Sequence, residues 1–155
     1  MNVRHAIAAL IAVFCGCANE PPAATPPAAP TSKITVVTSA MTYDGLFDAQ
    51  MVGAANCPAA EGVGPRAGGS DAAVTALFSV WPESGQLYDL SEPGASDLLV
   101  VAADVGGGAY CSNRGRASGF VDVRRFQQVG DRYIVDVVIE NVVSGDALIN
   151  AHLYH

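Results

Sequence analysis

The sequence predicts an all-β fold, an antiparallel β-sandwich of seven to nine strands that ends in a three-strand meander. Two observations lead to this prediction. Between residues 33 and 155 the apolar residues recur mostly with a period of two, and turn-forming residues interrupt them at short intervals. The length of 155 residues is typical of one domain, and the part from 33 to 155 is long enough to bury one hydrophobic core.

The last third of the chain has the clearest strand pattern. The predicted meander consists of three segments, at 119–127, 132–141 and 147–154. Further strands are predicted upstream at 33–39, 46–53, 87–90 and 98–104. Residues 73–81 have a spacing that also fits a helix, but their β-branched and aromatic side chains and the turn that starts at Pro82 favour a buried strand.

The turns of the meander predict its register. A three-residue loop at 128–130 would place glycine where the backbone needs a positive φ, and a loop at 142–146 would set Ile139 near Ile149 and Val137 near Ala151. The predicted inward side chains are Val121, Val123, Val135, Val137, Ile139, Ile149 and Leu153. The other face is expected to be half-solvated, so an aspartate should be tolerated far better at Val138 than at Val137.

Composition narrows the class of protein further. Half of the residues are hydrophobic and 15% are charged, which is the opposite of the balance found in disordered chains. The 15 acidic residues outnumber the 8 basic ones and give a net charge of −7. This charge disfavours a nucleic-acid partner, because phosphate binding requires a basic surface.

The first seventeen residues have the parts of an export signal. A short basic start at Arg4 and His5 precedes the apolar run Ala6–Phe14. As a helix this run would be about 13 Å long, far less than the ~30 Å of a bilayer's hydrocarbon core. The run therefore predicts a signal peptide over residues 1–16 rather than a membrane-spanning helix.

The end of this segment resembles the lipobox of bacterial lipoproteins, in which a small residue precedes the cysteine that is lipidated. Gly16 matches the small residue and Cys17 matches the lipidated site, whereas Cys15 would follow the bulky Phe14. The resemblance implies a lipid anchor at Cys17, and the non-acidic Ala18 favours the outer membrane over the inner one. The alternative is ordinary cleavage near Ala18, which would release a soluble periplasmic or secreted protein.

Residues 17–32 are predicted to form a tether. Proline and alanine dominate the stretch from Glu20 to Ser32, and proline removes the amide donors that a helix or sheet needs. In an extended form this stretch would hold a domain up to ~40 Å from the membrane. The domain prediction is therefore a signal peptide at 1–16, a lipidated tether at 17–32 and a β-sandwich at 33–155.

Cys57 and Cys111 are the two cysteines of the predicted domain. In an oxidising compartment, such a pair outside any metal-binding spacing predicts a disulfide. A reactive thiol would instead need a histidine base, and the histidines after the leader are His152 and His155. On a strand these two side chains point to opposite faces, so a shared metal is not expected, and His152 is predicted to lie across from Asp136 on the solvated face.

The remaining motifs predict no chemistry. The glycine-rich stretch Gly62–Ser70 lacks the Gly-Lys-Ser/Thr ending of a phosphate-binding loop and is predicted to be a flexible surface loop. The sequence contains no Gly-x-Ser-x-Gly, Ser-x-x-Lys or His-Glu-x-x-His motif. We therefore predict no catalytic residue, no metal site and no cofactor.

A family resemblance covers about residues 73–141. The strand that leads into Pro82–Leu90, followed by Gly119–Phe126 and the return strand with Tyr133, resembles small β-sandwich lipoproteins of Gram-negative bacteria. Most of these proteins have no assigned biochemical function. The resemblance therefore implies a fold and a location in the cell envelope.

Two functions follow as expectations. The first is a non-catalytic accessory module, anchored to the outer membrane, that binds an envelope protein, a glycan or a small apolar ligand, or acts structurally. The second is a periplasmic or surface hydrolase that uses carboxylates such as Asp122 and Asp136. Asp122, Asp136 or another acid in a concave pocket with converging polar groups would favour the hydrolase, and a flat charged strand face would favour the binding module. The candidate aromatic contacts are Phe120, Tyr154 and Trp81, but no ligand site is predicted.

Overall fold

The computed structural model describes residues 30–155, so the predictions for the signal peptide, Cys17 and most of the tether lie outside the described residues. Two antiparallel sheets pack face to face, which confirms the predicted β-sandwich. The elements are β1 (Ser32–Val37), β2 (Thr42–Phe47), β3 (Ala49–Ala54), β4 (Glu61–Gly68), β5 (Ala72–Phe78), β6 (Gln86–Asp89), α1 (Ala95–Leu98), β7 (Leu99–Val105), β8 (Gly108–Cys111), β9 (Ser118–Val129), β10 (Arg132–Ser144) and β11 (Ala147–Tyr154).

Residues 30–155 thus contain eleven strands, more than the seven to nine that were predicted. One difference lies at 46–53, which was predicted as one strand. The chain instead turns at Asp48 and passes from β2 in one sheet to β3 in the other. Strands β4 and β8 were also missed by the sequence prediction.

The six-stranded sheet has the order β2-β1-β11-β10-β9-β6, and the five-stranded sheet has the order β3-β4-β5-β7-β8. Their inward side chains form one core, to which alternating residues of the strands contribute. Strand β5 is buried at every position, since Leu77 on its outer side packs against Ala60 and Val100. The ambiguous segment at 73–81 is therefore a buried strand up to Phe78, as predicted.

The glycine-rich stretch predicted as a flexible loop is mostly strand β4, so that prediction was wrong. Its glycines allow close backbone contact with β5. A Cβ atom on Gly64 would lie 1.7 Å from the carbonyl oxygen of Ala76, and one on Gly68 would lie 2.3 Å from that of Ala72. Glycine within a strand marks such an approach rather than flexibility.

The first turn of the meander is shorter than predicted. Arg132 pairs with Val129, so the loop is the two residues Gly130 and Asp131. This register would put the valines of β9 on the wrong face, but a β-bulge at Arg124 shifts the pairing by one residue and brings Val123 opposite Val137. The predicted inward face is therefore confirmed, although the predicted loop is not.

The pairing of β10 with β11 also differs from the predicted register. Ile139 pairs with Ala151 and Val137 with Leu153, two residues away from the predicted partners. A second β-bulge, at Glu140 and Asn141, shifts the pairing of β10 with β11 by one residue on the side of the turn. Asn141 has a positive φ of 52° in this bulge. A shift of two residues keeps every side chain on its predicted face, because side chains two residues apart share a face. The predicted inward residues are accordingly buried, and each is at most 2% exposed.

The outer face of β10 is more covered than predicted. Val138 points outward between His152 on β11 and Asp122 on β9, yet only 8% of it is exposed. The expectation of a half-solvated outer face is therefore wrong at Val138, and the better tolerance of aspartate there than at Val137 stays a prediction. A carboxylate there would lose much of its hydration and would lie between existing acids.

Candidate functional site

A cavity of about 490 Å³ opens where the last residues of β11 and the first half of β10 meet the corner between β2 and β3. Backbone hydrogen bonds between Val135 and His155, at 2.8 and 3.0 Å, extend the pairing of β10 and β11 to this end. The Nδ1 atom of His155 lies 2.9 Å from the carbonyl oxygen of Ala49 and so connects the two sheets. The cavity is lined by Pro30, Asp48, Ala49, Arg125, Ile134, Val135, Asp136, Tyr154 and His155.

The lining combines an apolar surface with a few polar groups. Ile134, Val135 and Ala49 supply apolar atoms, while the carboxylates of Asp48 and Asp136 supply acceptors. Arg125, Tyr154 and His155 add further groups that can form hydrogen bonds. The volume lies within the range of small-molecule binding sites, and the polar groups could form hydrogen bonds with a ligand.

One wall of the cavity belongs to a hydrogen-bonded cluster of three side chains. The Nε2 atom of His152 lies 2.7 Å from Oδ1 of Asp136, which confirms the predicted contact, although His152 pairs across the strands with Val138 rather than with Asp136. The Nδ1 atom of His152 lies 3.0 Å from the hydroxyl oxygen of Tyr154, and the two rings are 4.0 Å apart. Both ring nitrogens of His152 are therefore engaged, and the cluster orients the two side chains that line the cavity, Asp136 and Tyr154.

Asp122, the other carboxylate singled out in the sequence, lies outside this cavity. Its Oδ2 atom accepts a hydrogen bond of 3.1 Å from Nε of Arg124, and this bond raises the pKa of the guanidinium. Asp122 is thus not a lining residue of the cavity, although the charges of both Asp122 and Asp136 act on Arg124. Asp48 is the second carboxylate of the cavity.

Sequence reasoning missed Asp48, Arg125 and the role of Tyr154. Asp48 was read as part of a continuous strand, and the sequence contains no signal for the corner that brings it beside β10. Tyr154 had a detectable signal, because it lies two residues after His152 and so shares its face on a strand. His155 follows the end of β11 and contacts the carbonyl oxygen of Ala49, whereas His152 contacts Asp136.

The candidate aromatic side chains have different surroundings. Trp81 is 44% exposed and packs edge-on against Phe126, with ring centroids 4.9 Å apart. Phe120 is 43% exposed on the outer face of β9, where it pairs with Glu140 of β10. Of the three aromatic residues proposed from the sequence, Tyr154 alone lines the 490 Å³ cavity.

Cys57 and Cys111 form a disulfide, as predicted. The bond joins the loop between β3 and β4 to the end of β8, and the two Cα atoms are 5.8 Å apart. Cys111 is 2% exposed, so this end of the bond is buried. Because the two sulfur atoms are bonded to each other, neither is available as a nucleophile.

Residues 30–155 contain no group of three or more His, Cys, Asp or Glu side chains placed to hold a metal ion. No helix in the described part of the chain has the length and hydrophobicity to cross a bilayer. Comparison of the sequence and structure with protein-family models, curated proteins and solved structures found no match. The resemblance over residues 73–141 therefore stays a prediction.

Proposed function

We propose that this chain is an exported lipoprotein, anchored to the outer membrane through Cys17, whose β-sandwich is a non-catalytic binding module. The disulfide supports export, because such bonds persist in the periplasm and outside the cell and are rare in the cytosol. The apolar run and the Gly16-Cys17 pair support the lipid anchor. The observation that carries the binding role is a cavity in which His152 holds the lining residues Asp136 and Tyr154 through hydrogen bonds.

The chemistry of the cavity supports a glycan of the cell envelope as its ligand. Sugar hydroxyl groups donate and accept hydrogen bonds, so they suit carboxylates together with an arginine such as Arg125. The ring of Tyr154 and the apolar side chain of Ile134, which is 37% exposed, offer surface for the less polar face of a sugar ring. A volume of about 490 Å³ accommodates one or two sugar units.

Two contacts support binding without catalysis. Both nitrogens of His152 are held within the cluster by Asp136 and Tyr154, which limits their use as a base towards a ligand. Asp122 is paired with Arg124 outside the cavity. The His152 cluster therefore orients the binding surface, and neither His152 nor Asp122 is positioned to attack a ligand.

A hydrolase is the second candidate function, because the carboxylates of Asp48 and Asp136 line the same cavity. An acid in a concave pocket is the arrangement expected of the hydrolase. Two carboxylates on either side of a glycosidic bond are the usual catalytic groups of glycoside hydrolases. In this candidate Asp48 replaces Asp122 as the partner of Asp136.

Replacing Cys17 by serine is expected to release the protein from the membrane fraction and to abolish metabolic labelling with palmitate. The reason is that the cysteine sulfur carries the proposed acyl anchor, and serine has no sulfur. Cys15→Ser is the matched control and should keep both the label and the membrane association. Labelling that persists in Cys17→Ser, or that disappears in Cys15→Ser, would contradict the assignment.

An array of bacterial envelope glycans is expected to retain the purified full-length chain. Binding to the best glycan should weaken at least about tenfold in Asp136→Asn and Arg125→Ala, since each loses hydrogen bonds in the cavity. The matched control is Asp122→Asn, which changes an acid outside the cavity and should bind as the wild type does. Failure of the array to retain the chain, or equal loss in the control, would contradict the proposal.

The same glycan separates binding from hydrolysis. Incubation with the wild type should leave it intact, as measured by mass spectrometry of the products. Cleavage by the wild type that disappears in both Asp48→Asn and Asp136→Asn would overturn the binding module in favour of the hydrolase.

A further inference from the structure

Strand β6 forms one edge of the six-stranded sheet and pairs with β9 on one side only. The N–H of Leu90, just after the strand, donates to the carbonyl of Gly119 at 2.9 Å. Hydrogen bonding alternates along an antiparallel pair, so the N–H and C=O of Leu87 point away from β9. Unpaired groups of this kind are a template for an additional strand.

A groove runs beside this edge, between β6 and the segment 92–98, and is called the β6 groove below. Its volume is about 410 Å³, and it continues past Leu98 into a second depression of about 350 Å³ at Val80 and Trp81. Four large apolar side chains along these depressions are exposed: Leu87 by 63%, Leu98 by 45%, Val80 by 65% and Trp81 by 44%. An apolar patch of contiguous side chains marks an interaction surface more often than scattered ones do.

The rim of the β6 groove is acidic. Glu92, Asp89 and Asp97 line the groove, and Glu83 lines the adjoining depression. Among residues 30–155, every salt bridge involves an acid other than these four. The four rim carboxylates therefore form no salt bridge within the described part of the chain, and a cationic group of a partner could pair with them.

Two groups beside the groove have shifted pKa values, for different reasons. Hydrogen bonds from the hydroxyl and N–H of Ser91 lower the pKa of Asp89, which keeps its carboxylate charged. Burial raises the pKa of Tyr88, and the charge of Glu83 raises it further. The groove therefore combines stable negative charge with an apolar floor.

We propose that the β6 groove binds an extended, basic segment of a partner protein, which adds to the sheet as a strand beside β6. The backbone of Leu87 pairs with the segment, alternate apolar side chains of the segment contact Leu87 and Leu98, and its Lys or Arg side chains face Glu92 and Asp97. Charge complementarity selects this occupant. A second copy of this chain is disfavoured, because its net charge is −7 and it would bring another acidic rim to the first.

The other edge of the sheet differs in charge. On β2, Asp44 accepts a hydrogen bond of 2.8 Å from Thr35 and lies 3.9 Å from Nζ of Lys33. The carboxylate of Asp44 is therefore already paired with side chains of the neighbouring strand. Of the two edges of this sheet, the β6 edge is the one that carries several acids outside any salt bridge.

The probe is a fluorescent twelve-residue peptide of alternating lysine and valine, titrated into the purified full-length chain and followed by anisotropy. We expect saturable binding and slower hydrogen exchange at the amide of Leu87. Binding should weaken at least about tenfold in Leu87→Pro, which removes the free donor, and in the double variant Glu92→Lys/Asp97→Lys. The matched control Asp131→Lys/Glu140→Lys reverses two exposed acids elsewhere and should bind as the wild type does.

Two further peptides separate strand addition from general charge attraction. A glutamate–valine peptide should not bind, and a lysine–valine peptide with alternate N-methylated amides should bind at least about tenfold more weakly. The proposal is overturned if the lysine–valine peptide fails to bind, if N-methylation leaves binding unchanged, or if the control variant loses binding as Glu92→Lys/Asp97→Lys does. Thermal unfolding of each variant verifies that it is folded. None of these outcomes depends on the glycan cavity, because its residues are unchanged.

Discussion

Val137→Asp is expected to lower the free energy of unfolding by more than about 4 kcal/mol and to leave little folded protein. Val137 is 0% exposed in the centre of β10, between Val123 on β9 and Leu153 on β11. A carboxylate there would lose its hydration and would find only apolar neighbours. Urea unfolding, followed by circular dichroism, measures the effect.

The matched controls are two outward positions of the same strand. Val143 is 39% exposed, so Val143→Asp should change stability by less than about 1 kcal/mol. The loss of unfolding free energy in Val138→Asp should lie between the losses in Val137→Asp and Val143→Asp, since Val138 points outward but is covered by its neighbours. A loss at Val143 as large as the loss at Val137 would show that the inward face of β10 is assigned wrongly.

Removal of the disulfide by Cys57→Ala/Cys111→Ala is expected to lower the free energy of unfolding by about 4 kcal/mol. The bond closes a loop with a sequence separation of 54 residues, and the chain-entropy model assigns this stabilisation mainly to the restricted unfolded state. Chemical denaturation of the oxidised wild type and of the double variant measures the difference.

Reduction provides an internal control for this prediction. A reducing agent should lower the stability of the wild type by a similar amount and should leave the double variant unchanged. Free-thiol counting on the denatured, unreduced wild type should find that neither Cys57 nor Cys111 reacts. Reaction of both, or equal stability of the two proteins, would contradict a stabilising disulfide.

Several features were predictable because their physical cause is local. Side chains alternate along any extended strand, so the apolar pattern of 119–154 identified the inward face of β9, β10 and β11 without knowledge of the partners. The pairing of Cys57 with Cys111 was predictable because the domain offers a single pair outside any metal-binding spacing. The contact of His152 with Asp136 followed from their placement on the outer face of adjacent strands.

Other features depend on residues that are distant in the sequence. The glycines of β4 indicate a strand only when the carbonyls of Ala76 and Ala72 on β5 are known to lie against them. Likewise, Asp48 joins the cavity because the chain changes sheets at that residue and meets the end of β11. No local pattern distinguishes such a corner from the middle of a strand.

The sequence by itself determined the sandwich class, the inward faces of the meander and the cysteine pair, because strand alternation and a single available partner are properties of the chain alone. The tertiary structure decided the register, the strand count and the cavity. Bulges at Arg124 and Asn141 compensate for two-residue turns, so the same faces are buried with different partners. Register and cavities depend on which distant backbones approach each other, and that is set by packing of the two sheets rather than by local preference.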